Sequence, residues 1–192
     1  MSALEWPQQQ LLTLDDWAEL PETSEFHMEV VEGVLAVSPR PFPLHQLVLG
    51  RVAYLLTRQL PTDLVAVNEM EMVVRTVPLT VRSPDVLVAP TSLIQANPPR
   101  IGVAEVPLAV EVLSPGTKRT DEHDKFREYA AAGIEHYWII DLEQPVSLRA
   151  YRLVEGGYAD FGEHTGSAAL EFAGTTVKLD LDALIDARGQ RS

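Results

Sequence analysis

The sequence predicts a mixed α/β fold, and three observations carry that prediction. Residues 107 to 114, PLAVEVLS, are apolar almost throughout, as in a central strand covered on both faces. A capped helical segment and a second apolar run, HYWIID, follow, so residues 107 to 141 read as a strand, helix, strand crossover. Earlier in the chain, Leu44, Leu47, Val48, Val52, Leu55, Leu56 and Leu60 recur at the three-and-four spacing of a helix buried on one face. With 192 residues, 46% hydrophobic and 22% charged, the chain is long enough to bury a sizeable core, and residues 1 to 192 read as one domain.

The other elements follow in order. Thr13 is placed to cap a short helix, LDDWAEL, with Asp16 at its third helical position and both Asp15 and Asp16 near the positive end of the helix. MEVVEGVLAVS reads as two strands joined at the turn signal Glu32-Gly33. The long helix begins after a Pro39 to Pro43 breaker. From Leu64 to Arg75, LVAVNEMEMVVR has the valine enrichment and rough alternation of one strand, and DVLVA after Pro84 reads as the next. A proline-rich loop runs to Pro107. Beyond the PLAVEVLS strand, Thr120 is expected to cap the helix DEHDKFREYAAA, which has acids near its start and Gly133 placed to end it. VSLRAYRL and YADF, separated by Glu155-Gly156-Gly157, predict an antiparallel hairpin, and LDALIDA a closing short helix.

Composition removes several function classes. There is no cysteine, which excludes disulfides, thiolate zinc sites and a cysteine nucleophile. No apolar stretch reaches the ~18 residues of a membrane span, and MSALEWPQQQ lacks the basic and apolar regions of a signal peptide. The expectation is a soluble cytoplasmic protein without a membrane partner. Gly-rich phosphate loops, nucleophile elbows and HExxH are absent, and His27, His123, His136 and His164 form no metal-ligand spacing. The net charge of −13 disfavours nonspecific binding of nucleic acid. It is unevenly spread: residues 1 to 40 hold eight acids and one base, whereas residues 41 to 140 hold eleven acids and nine bases.

Within that balanced block, Glu111 is anomalous, because a carboxylate inside VPLAVEVL requires neutralisation in a buried strand. An Arg or Lys partner, a strand end that reaches solvent, a bound cation or a catalytic role would each satisfy it. Asp85 follows Pro84, a common turn signal, yet two apolar strands that each carry one acid are also able to place both around a divalent ion. Lys125 lies four residues after Asp121 and four before Tyr129, a spacing that sets all three on one helix face. The bland reading is a solvated Asp121–Lys125 pair, with Phe126, Tyr129 and Ala130 anchoring the helix. Packed beside the Glu111 strand, Lys125 would instead reach the carboxylates.

These segments resemble the PD-(D/E)XK nuclease superfamily and, more narrowly, the bacterial Uma-type restriction endonucleases. The matching stretches are Ser83-Pro84-Asp85-Val86, Val110-Glu111-Val112-Leu113-Ser114-Pro115, Asp121 with Lys125, Tyr129 and Gly133, and Tyr137-Trp138-Ile139-Ile140-Asp141. MEVVEGVL and the proline-rich turn with His45 also fit, so the resemblance spans residues 13 to about 155. It implies a restriction-endonuclease-like core, a mixed β-sheet flanked by helices with additional antiparallel hairpins. It further implies a Mg²⁺- or Mn²⁺-dependent endonuclease acting on nucleic acid, with DNA the expected partner, and a homodimer.

In that scheme Asp85 and Glu111 bind the metal and Lys125 is the third catalytic residue, with Glu29, His45 and Asp121 as supporting candidates. Leu113 departs from the superfamily signature, which has a lysine there; in the Uma-type family the lysine has moved to the following helix, where Lys125 stands. His45 also reads as a satisfied structural histidine, and Glu32 as a turn residue. Tyr137 and Trp138 read as core rather than base-stacking residues. Asp141 is expected to end its strand, and Lys118 and Arg119 are exposed candidates for phosphate contact. A noncatalytic module on the same fold is the alternative; a glycosidase with paired carboxylates would leave Lys125 without a role.

Overall fold

In the computed structural model, residues 11 to 21, 25 to 114 and 120 to 186 are described. The chain begins with α1 (Leu14–Glu19), where the Thr13 hydroxyl accepts from the Asp16 N–H and the Asp16 carboxylate accepts from the Thr13 N–H, a complete capping box. β1 (Phe26–Val31) and β2 (Val34–Pro39) form the hairpin predicted at Glu32-Gly33, both of which adopt positive φ, as its tight turn requires. Pro43 starts α2 (Pro43–Gln59), which buries Val48, Leu49, Val52 and Leu56. Each of these side chains contributes roughly 1.5–3 kcal/mol of transfer free energy.

β3 (Leu64–Asn68), β4 (Met72–Thr76), β5 (Leu79–Arg82) and β6 (Val86–Pro90) follow, then α3 (Thr91–Gln95) and β7 (Ile101–Gly102). β8 (Leu108–Val112) is buried at every position, as its sequence requires. A π-helical stretch, Thr120–Lys125, leads into α4 (Phe126–Ala132), which Gly133 ends in the left-handed conformation. The remaining elements are β9 (His136–Asp141), β10 (Ser147–Val154), β11 (Gly157–Thr165), β12 (Ser167–Phe172), β13 (Thr175–Asp180) and α5 (Leu181–Ile185).

Two mixed sheets and a hairpin organise these strands. One sheet has the order β11-β10-β9-β8-β6-β3, the other β2-β1-β5-β4-β7, and β12 pairs with β13. β8 is antiparallel to β6 and parallel to β9, so the predicted crossover of residues 107 to 141 is present. Alternation divides the large sheet's faces: Val86, Val88, Leu108, Val110, Val112, Trp138 and Ile140 pack with α2, whereas Leu87, Ala89, Ala109, Leu113, Tyr137 and Ile139 pack with Tyr129 of α4. Tyr137 and Trp138 are therefore core residues. Asp141 ends β9 and accepts the Glu143 N–H at 3.0 Å. No helix of the described residues is long and apolar enough to cross a membrane.

Three expectations require correction. Leu64 to Arg75 is two strands in different sheets, because Glu69 takes φ +48° and its backbone bonds to Asp85 and Ser83 redirect the chain. The proline-rich stretch before Pro107 contains α3, β7 and a 3₁₀ turn at Val103–Glu105. The helix after β8 opens with π rather than α winding, and the Thr120 side chain, expected as its cap, lies outside the described residues. β5 and the β12–β13 hairpin are additional to the predicted elements.

Candidate active site

The β6–β8 register brings the two anomalous acids together. Val86 pairs with Val110, and one further step along the ladder sets Asp85 across from Glu111. Both have the parity of Leu87 and Ala109, so both belong to the α4 face of the sheet. Asp85 Oδ2 accepts the Val112 N–H at 2.7 Å, which fastens the carboxylate to the end of β8.

The helix after β8 supplies the cation. Lys125 Nζ lies 2.9 Å from Glu111 Oε2, and the Tyr129 hydroxyl donates to Glu111 Oε1 at 3.0 Å. These contacts neutralise a carboxylate that is only 1% exposed. Burial, followed by the negative charge of Glu111, pushes the Tyr129 hydroxyl well above its usual pKa, so it remains a donor.

Glu29 enters from β1. Its Oε2 accepts from Arg82 Nη1 at 2.8 Å and its Oε1 from the Ser83 N–H at 3.0 Å, while Lys125 Nζ stands 3.9 Å from Oε1. Burial favours the neutral acid, but Lys125, His27, Arg82 and the Ser83 N–H outweigh it and hold Glu29 well below the usual carboxylate range. Arg82, 3% exposed, also makes a bidentate pair with Glu128 at 2.7 Å for both bonds. This pair couples β5 to α4, the helix that continues from Lys125.

His45, in the first turn of α2, closes the other side. Its Nε2 lies 2.8 Å from the Val112 carbonyl and 3.3 Å from Asp85 Oδ2. Burial works against the imidazolium, yet Asp85, the Val112 carbonyl and Glu69 together raise the His45 pKa. His45 is thus both a buried structural histidine and a neighbour of a candidate ligand. Its Nδ1 has no hydrogen-bond partner among the described residues.

Glu29, His45, Asp85, Glu111 and Lys125 all line one cleft of about 260 Å³. The Asp121 side chain, Lys118 and Arg119 lie outside the described residues. Sequence reasoning missed Arg82, Glu128 and Glu69. Arg82 carried no clear signal, because in the alternating run LTVR it takes the polar parity of Thr80 opposite Leu79 and Val81; Glu69 carried none, because its role arises from a backbone turn.

The donors suit a hard divalent cation. Among the described residues, Asp85 Oδ1 has no hydrogen-bond partner, since the Val112 N–H and His45 Nε2 both meet Oδ2. Also among them, no three His, Asp or Glu side chains gather into a metal-binding group. Asp85 and Glu111 would therefore supply two carboxylates, with water and substrate oxygens completing the shell, an arrangement Mg²⁺ commonly accepts.

Two acids on adjacent strands of a mixed sheet and a lysine from the segment that follows β8 thus meet in one cleft. The profile of the Uma2 family, described as putative restriction endonuclease, matches residues 14–180, and the chain belongs to this family. A search of curated proteins finds no match. Among solved structures, the fold is similar to that of a putative nuclease belonging to DUF820 from Anabaena variabilis ATCC 29413, with a TM-score of 0.70 and 21% identity, over 91% of this chain and 97% of that one.

Proposed function

We propose that the chain, acting as one domain, is a divalent-cation-dependent endonuclease that hydrolyses phosphodiester bonds in DNA. The observation that supports this most directly is the convergence of Asp85, Glu111 and Lys125, drawn from three elements, on one cleft. Asp85 and Glu111 would hold Mg²⁺ or Mn²⁺, which when bound supplies a water of lowered pKa and offsets charge on the scissile phosphate. Lys125, oriented by Glu111, directs its ammonium toward a phosphate oxygen or the attacking water. Glu29 holds Lys125 and Arg82 in place, and His45 steadies Asp85 through Val112. Homodimerisation and a cytoplasmic location belong to the same proposal, the first from the family resemblance and the second from the cysteine-free composition.

Cleavage of plasmid DNA with Mg²⁺, Mn²⁺ or EDTA tests the reading. Cutting that requires the metal and disappears in Asp85→Ala is expected; cutting that survives either change overturns it. The engagement of both Glu111 oxygens favours a second reading, a noncatalytic binding module. Calorimetry separates the two, since the module predicts no cation binding sensitive to Glu111→Gln.

A further inference from the structure

A second groove, of about 470 Å³, adjoins the cleft and shares His27, Glu69 and Ser83 with it. Arg100 lines this groove and is oriented by a single acid: its Nε donates to Glu71 Oε2 at 3.1 Å, and the same oxygen accepts Trp17 Nε1 at 2.9 Å. Neither terminal nitrogen of Arg100 has a protein partner among the described residues. A guanidinium fixed through Nε retains four N–H donors in one plane, a fork that matches two oxygens of a phosphate. Arg100 and Trp17 both engage Glu71 through Oε2, so the guanidinium offsets the acid's charge at that oxygen.

Phe26 lines the same groove and is 47% exposed, so the groove holds a large apolar ring as well as the polar fork. A phosphate donor set and a flat aromatic face in one groove match the two halves of a nucleotide. We propose that this groove is a second nucleotide subsite, in which Arg100 receives a phosphate of the strand that occupies the cleft and Phe26 stacks on the neighbouring base. This inference rests on the nuclease reading and extends it to the path of the substrate.

The test is fluorescence anisotropy with a labelled short oligodeoxynucleotide, Ca²⁺ replacing Mg²⁺ to slow turnover, alongside cleavage kinetics. Arg100→Ala is expected to weaken binding about tenfold and to reduce the salt dependence by about one phosphate contact. Phe26→Ala, at an exposed side chain, is expected to weaken it about tenfold as well, and tests the subsite should Arg100→Ala fail to fold. In kinetics both variants raise KM for the oligonucleotide and leave kcat unchanged. Both cleave bis(p-nitrophenyl) phosphate, a diester without a second phosphate, at the rate of the unaltered protein. Binding that is the same in all three proteins, or absent from the unaltered one, overturns the subsite. Cleavage with Arg100-independent binding removes the subsite and keeps the nuclease; Arg100-dependent binding without any cleavage does the reverse.

Discussion

Lys125 and Glu111 form an ion pair at 2.9 Å in which the side chains are 8% and 2% exposed, so bulk water does little to compensate either charge. Removing one partner of such a pair costs about 3–5 kcal/mol, because the other charge stays buried. Lys125→Met should therefore lower stability by about that amount, and the Glu111→Gln/Lys125→Met double variant should recover most of it. Neither should cleave DNA. Urea denaturation and plasmid cleavage on the same samples check this, and recovered activity in the double variant would remove both residues from the chemistry.

Asp85 offers a way to separate charge from scaffold. Asp85→Asn keeps an acceptor for the Val112 N–H, and the expected stability change is within about 1 kcal/mol, whereas Asp85→Ala leaves that donor unpaired at a cost of about 1–3 kcal/mol. Both variants should lose metal-dependent cleavage. Thermal melting with and without Mn²⁺ provides the readout: the cation should stabilise only the unaltered protein.

The acid side of the stability profile should be governed in part by Glu29. Its folded pKa lies below the ordinary value of 4.5, so below that pH the unfolded chain binds the proton more readily than the native one. Stability from this group is full above about pH 4.5 and falls on acidification through the native pKa. Glu29→Gln should cost about 3 kcal/mol near neutrality and flatten the acid slope. Urea titrations across the acid range measure both effects.

Two glycines should respond differently to alanine. Gly133 has φ +89° with open space around an added Cβ, so Gly133→Ala meets only the left-handed backbone penalty, about 1–2 kcal/mol. Gly33 has φ +81° and a Cβ there would stand 2.6 Å from Leu11 Cβ, so Gly33→Ala must also displace Leu11. The larger loss of melting temperature is expected for Gly33→Ala.

Local chemistry makes much of this legible in the amino-acid sequence. The Thr13–Asp16 box, the Glu32-Gly33 turn and the apolar run of β8 each state their geometry in adjacent residues. Asp85 and Glu111 were visible as acids out of place, and the family resemblance pointed to Lys125. The Arg82–Glu128 clamp was hidden because its partners lie on separate elements, and each alone reads as an ordinary charge. Glu69 was hidden for another reason: the valine-rich alternation on both sides of it is that of a continuous strand, and a left-handed residue leaves no mark on side-chain periodicity.

That continuity has a structural meaning. Asn68 pairs with Val86 and Met72 with Arg82, so the pairings on either side of Glu69 keep one common register although they belong to different sheets. Residues 64 to 90 are a single long ribbon creased across its width, stitched at the crease where Glu69 meets Ser83 and Asp85. Arg82 ends β5 on one side of the crease, Val86 begins β6 on the other, and only Ser83, Pro84 and Asp85 lie between them. The spacing between the Glu29 anchor and the Asp85 carboxylate is thus an angle built into the ribbon, rather than a distance left to a loop.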